Sequence, residues 1–216
     1  MAEMFHDDDS SEKHLSASRL HIRRCRKMTG AEGLADAIAP VRTRLVGAVA
    51  VTEQREEEEE DAKDDVEVAG LAGAEVLRTL SGRAEEHDRR HNKNTHGAIF
   101  VEGGFSKLLD SKGAVAPLVL EDVAFKVRSL GEGTEDLQPF ADESEAAATA
   151  IRAAEAVVEQ ALKARKLAEA DEELAQAALR KQYEHNYLDA KKAFGARAER
   201  LFPKIRKRRK KTKTEE

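Results

Sequence analysis

From Leu34 to Leu80 the chain repeats in steps of four and three: Leu34, Ile38, Val41, Leu45, Ala48, Thr52, Arg55, Glu59, Ala62, Val66, Ala69, Gly73, Val76, Leu80. This is a heptad seam, apolar at both ends and polar in the middle. Its period of 3.5 residues is that of a helix wound on a partner. A second stripe runs from Ile151 through Ala161, Arg165, Glu172, Leu179, Tyr187 and Phe194 to Ile205 at the ordinary helical repeat. Both lose their apolar character at mid-length, the first at Arg55 and Glu59, the second at Arg165 and Glu172. If the chain folds back between the stripes, Arg55 falls beside Glu172 and Glu59 beside Arg165. The acidic run from Glu56 to Asp61 then lies beside Lys163, Arg165 and Lys166. Exposed ion pairs contribute about 0–1 kcal/mol each, so such a layer sets register more than stability.

The expected fold is therefore mainly α: a long antiparallel two-helix coiled-coil hairpin, with a small mixed α(β) head at its turn and basic terminal arms. Composition agrees. Aromatic residues are 4%, there is no Trp, and 37% of residues are charged. That suits long helices better than a large globular core. Residues 1–29 read as a polar, basic arm, disordered alone, with a short helix from about Ser16 marked by Leu15 and Ile22. Thr29-Gly30-Ala31-Glu32 has the capping-box pattern that starts a helix. The first long helix is placed over 30–91, with Pro40 imposing a kink or a restart. Gly70 and Gly73 weaken it locally and let another backbone approach closely. Residues 92–140 form the head, with a short strand at 98–101, a helical turn at 105–109, and a helix from Pro117 to Leu130 packing Leu120, Val123, Ala124 and Val127. Phe100, Phe105, Phe125 and Phe140 are its expected core. The second long helix covers 141–203, and 204–216 is a basic tail.

Several patterns bear on function. The run Arg206, Lys207, Arg208, Arg209, Lys210, Lys211 suits a phosphate backbone, or an acidic run on another protein. It has no interleaved aromatics for base stacking. A second apolar line on the returning helix, Ala164, Leu167, Leu174, Ala178 and Leu188, is left over by a simple hairpin and reads as an oligomer face. His87 and His91 stand one turn apart, but Arg89 and Arg90 between them repel a cation, so they read as solvated residues at a helix end. Cys25, the one cysteine, sits among Arg23, Arg24, Arg26 and Lys27 and reads as an incidental exposed thiol. Gly103-Gly104-Phe105-Ser106-Lys107 lacks phosphate-loop spacing and reads as a turn.

No catalytic residue, metal site or cofactor is expected. The acidic start of the chain resembles neither a signal peptide nor a myristoylation site, and no apolar run is long enough to span a membrane. A single cysteine fits a reducing compartment, so the expected location is the cytoplasm or a particle. These features point to a structural or adaptor subunit that associates with itself or with other subunits, a phage or tail-like particle being one setting. The alternative is a protein that binds nucleic acid non-specifically through its basic tails.

Overall fold

A computed structural model describes residues 4–100 and 104–204. The elements are α1 (Ser11–Cys25), α2 (Glu32–His91), α3 (Thr95–Ile99), a 3-10 turn (Phe105–Leu108), α4 (Pro117–Arg128), α5 (Pro139–Phe194) and a 3-10 segment (Gly195–Leu201). The chain divides into two compact units. Unit 1 is Met1–Arg55 with Arg165–Glu216, and unit 2 is Glu56–Ala164. The long helices α2 and α5 pack against each other, antiparallel, in the manner of a helical hairpin. In unit 1 the Asn186 amide meets the Leu34 carbonyl at 2.7 Å. In unit 2 Gly73 faces Ile151.

The structure corrects the N-terminal arm. Residues 11–25 are a helix that belongs to the core of unit 1. Ser10 caps it, its hydroxyl accepting from the Lys13 N–H. The buried face is Ser11, His14, Ala17, Ser18, His21 and Cys25, while Leu15 and Ile22 are only half-buried. Helix α2 starts at Glu32 rather than Gly30. Gly30 has φ +83° and joins the turn from α1, so Thr29 lies too far back to act as the cap. Pro40 lies inside α2 and does not restart it. Pro40 and Asp36 are both exposed, so the Asp36 carbonyl that loses its donor faces water. Ile38 and Leu45, fully buried on either side, hold the helix through the gap.

Unit 2 is helical, and its expected mixed α/β character is not found. Among the described residues the β-structure is one isolated bridge, Leu109 with Val115. Thr95–Ile99 is a helix where a strand was expected, and Val101 lies outside the described residues. The cause is Asp88, whose carboxylate accepts from the backbone N–H of Thr95 (2.6 Å) and His96 (2.9 Å) and so caps α3 from outside. Helix α4 turns Leu120, Val123, Ala124 and Val127 inward as the pattern required. Phe125, one position further round, is 71% exposed and is not a core residue. Phe100 is buried, while Phe105 and Phe140 pack at the edge of the cluster.

Small residues on α2 admit the loop before α4. A Cβ at Gly73 would come within 2.8 Å of Val115 Cγ1 and 2.9 Å of Leu120 Cδ1. At Gly70 it would meet Ala114 Cβ at 2.9 Å, and the Gly70 carbonyl accepts from the Val115 N–H at 3.2 Å. Gly82, also in α2, has open space. Gly73→Leu is therefore expected to lower unfolding stability by at least about 2 kcal/mol through overpacking. Gly82→Ala is expected to raise it by up to about 1 kcal/mol. Urea unfolding of both variants checks the opposite signs.

Candidate functional site

Three features of the described chain could carry function. The first is the polar and aromatic cluster inside unit 1. His21 on α1 donates from Nδ1 to the Leu201 carbonyl (3.0 Å) and accepts at Nε2 from Asn186 Nδ2 (3.0 Å). The same Asn186 nitrogen donates to the Leu34 carbonyl (2.7 Å), and its Oδ1 accepts from Gln182 (3.0 Å). One amide thus ties α1, α2 and α5 together. Phe202 stacks on the His21 ring at 4.3 Å and meets Tyr183 and Tyr187 edge-on at 5.1 and 5.3 Å. Arg24 donates to the carbonyls of Phe202 (2.8 Å) and Arg200 (3.3 Å). Near the start of α1, Phe5 stacks on His14. Ser11 Oγ donates to Glu172 and accepts from Gln176, both at 2.6 Å.

This network requires a neutral His21. A second ring proton would point at the Asn186 NH2, which has no lone pair to offer. Rotating the amide would turn its oxygen toward the Leu34 carbonyl. Burial accordingly drives the imidazole down to about 4, against the opposing bond to Leu201 and with a smaller push from Arg24. Burial also lowers His14 and pushes the Cys25 thiol up to about 11. Cys25 is fully buried, 3.6 Å from His21 Nε2, which corrects its reading as an exposed thiol. With both ring nitrogens committed and the thiol held protonated, the His21–Cys25 pair suits packing rather than nucleophilic attack.

The second feature is a cleft of about 610 Å³ in unit 2, lined by Val66, Gly70, Leu109, Val115 and Ile151. Several polar groups of its lining are occupied locally. Lys112 pairs with Glu67, and Asp110 accepts from the backbone of Lys112 and Ala114. At the end of α2, His87 is buried and 3.4 Å from Asp136, not solvated as the sequence suggested, and its ring lies 4.5 Å from that of His91. Among the described residues no three His, Cys, Asp or Glu converge on a metal position, and no helix is long and apolar enough to cross a membrane.

The third feature is the outer face of α5 in unit 1. Leu167, Leu174 and Leu188 are 70%, 61% and 56% exposed. The opposite face, with Ala168, Ala175, Leu179, Tyr183 and Asn186, is buried. Three of the expected polar-layer residues have partners within their own unit. Arg165 Nε donates to Glu169 on its own helix (2.9 Å), Glu172 is engaged by Ser11 of α1, and buried Glu59 pairs with Lys63. Arg55, Arg165 and Glu172 belong to unit 1 and Glu59 to unit 2. The basic run Arg206–Lys211 lies outside the described residues. Comparison with protein-family models, curated proteins and solved structures gives no match for this chain.

His21 sets a pH test. Its folded-state value lies below that of the open chain, 6.5, so the unfolded chain binds the extra proton. The stability is present above 6.5 and is lost as pH falls toward about 4. Between the open-chain value and about pH 5, the His21 contribution is expected to fall by about 2 kcal/mol. Urea midpoints across this range check it. His21→Gln should be less stable at neutral pH but show a flatter decline.

Proposed function

We propose that this chain is a non-enzymatic structural or adaptor subunit that associates with copies of itself through its helical hairpin to build a larger assembly. The observation that carries the reading is the line of Leu167, Leu174 and Leu188, spaced by one and two heptads and open to solvent. Such a line is half of a coiled-coil contact awaiting its other half. The inner face of the same stretch of α5 is already spent on the core, so the leucines are not needed for folding. In this reading the Leu34–Leu80 seam winds on α5 as a coiled coil, with Arg55, Glu59, Arg165 and Glu172 setting its register. A phage or tail-like particle, or another cytoplasmic assembly, is a fitting setting.

Light scattering on the purified chain at two concentrations tests this. The mass should rise with concentration. Replacing Leu174 and Leu188 by Glu should return it to the monomer while changing unfolding stability by no more than about 0.5 kcal/mol per exposed site. A monomer at both concentrations overturns the proposal. The sequence supports a second reading through Arg206–Lys211: non-specific binding to nucleic acid. A random DNA duplex should then be bound at low salt and released at high salt, and removal of residues after Pro203 should abolish binding. Unchanged affinity on truncation excludes that reading.

A further inference from the structure

We propose that residues 195–203 form an exchangeable strap, and that the slot it fills in unit 1 also receives the same segment of a second copy of this chain. The inference rests on the reading above only in taking another copy as the partner. It uses a different surface from the leucine line.

The segment Gly195-Ala196-Arg197-Ala198-Glu199-Arg200-Leu201 consists, after its glycine, of residues at the top of the helix-propensity ranking. Its apolar positions Ala198 and Leu201 extend the α5 stripe of Tyr187, Ala190 and Phe194 without a change of period. Residues 196–201 thus prefer helix, while Gly195, the usual residue just past a helix end, marks where α5 can stop. Helix α5 ends at Phe194, Gly195 takes φ +55°, and the next residues wind as a 3-10 segment of seven residues. Such segments rarely exceed three or four residues.

Docking holds the 3-10 form in place. Ala198 and Leu201 are fully buried, and Phe202 and Pro203 are buried with them. Phe202 fills the space between the rings of His21, Tyr183 and Tyr187. The slot reads the strap through backbone carbonyls: His21 donates to Leu201, and Arg24 to Arg200 and Phe202. Lys191 reaches Glu199 at 3.3 Å. Apart from Gly195, none of these contacts depends on the strap belonging to the same molecule. A change of backbone angles at Gly195 alone, with 196–203 kept in the docked form, carries Leu201 and Phe202 out of their own slot. An identical slot on a second copy offers the same three rings and the same donors. Reciprocal exchange closes a two-fold dimer in which every docking contact is recovered and only the hinge has changed.

The hinge gives the test. An alanine at 195 disfavours the left-handed conformation by roughly tenfold and so turns the strap away from its own slot. Sedimentation velocity is run on the full chain with Leu174→Glu and Leu188→Glu as background, so the leucine line contributes no association and its failure as an interface would not alter the result. Gly195→Ala is expected to double the mass, and adding Phe202→Ala to restore the monomer. Gly195→Asn, which tolerates the left-handed conformation, is expected to stay monomeric. A folded Gly195→Ala chain at monomer mass overturns the proposal, as does a dimer that survives Phe202→Ala or is equally abundant in Gly195→Asn. If Gly195→Ala does not fold, the parent chain refolded at high concentration decides. A trapped dimer that is absent from Phe202→Ala supports exchange, and no dimer overturns it.

Discussion

Two helices laid side by side bury a single seam, and here much of that seam is alanine: Ala31, Ala35, Ala175 and Ala190 in unit 1, Ala74, Ala84, Ala141 and Ala148 in unit 2. At roughly 25 cal/mol per Å² of apolar surface, side chains this small give little stability. Each unit therefore brings in further elements. Unit 1 closes its seam with α1 and the strap, which add Ala17, Cys25, Leu201 and Phe202 to Ile38, Leu45, Leu179 and Tyr183. Unit 2 uses α3, α4 and the intervening loop, which add Ile99, Phe100, Val115, Leu120, Val123 and Val127 to Leu77, Leu80 and Ile151. The close approach at Gly70 and Gly73 belongs to this solution, because the loop can only seal the seam where α2 presents no side chain.

The additions differ in chemistry. In unit 2 the incoming side chains are apolar, and the main polar device is the Asp88 carboxylate capping α3. Burial pulls that carboxyl upward, but the N–H groups of His96 and Thr95 outweigh it and hold it below its usual range. In unit 1 the incoming helix presents a face of Ser, His and Cys, so packing is accompanied by hydrogen bonds: Ser11 to Glu172 and Gln176, and His21 to Leu201 and Asn186. Through the Asn186 amide the position of α1 and the protonation state of His21 become one condition. A polar core of this kind specifies one arrangement of its elements rather than adding much stability, and its donors and acceptors count only when all are satisfied.

The proposed role draws on what this core leaves outside. Once α5 has spent its inner face on Leu179, Tyr183 and Asn186, the heptad-spaced leucines have no partner within the unit. The strap is a 3-10 segment held by bonds from His21 and Arg24 of α1. Both features concern association, one through an open face and the other through an exchangeable contact. Either makes a copy of the same chain the natural complement, because the surface that lacks a partner and the group that fits it are encoded in the same stretch of residues.

The periodicity of 34–80 and 151–205 made the two long helices and their antiparallel packing legible. Pro117 and the spacing of Leu120, Val123, Ala124 and Val127 did the same for α4. The exposure of Leu167, Leu174 and Leu188 was also visible, since they fall off the stripe that packs. What stayed hidden was α1. Its buried face is polar, and a pattern search that weights Leu15 and Ile22 turns the helix the wrong way. The face could have been found only by noticing that His14, Ala17, Ser18, His21 and Cys25 share one side. The helix at 95–99 was hidden because its cap, Asp88, comes from the preceding helix. The break at Gly195 had a signal, the glycine itself, but Ala198 and Leu201 carry the apolar stripe past it. By itself the sequence determined the two long helices and α4 and which of their faces are apolar, because those follow from residue type and spacing along one chain. Only the tertiary structure decided where α1 and the strap dock, which histidines lose their protons and where α5 stops, because those depend on hydrogen bonds and ring contacts between residues more than a hundred positions apart.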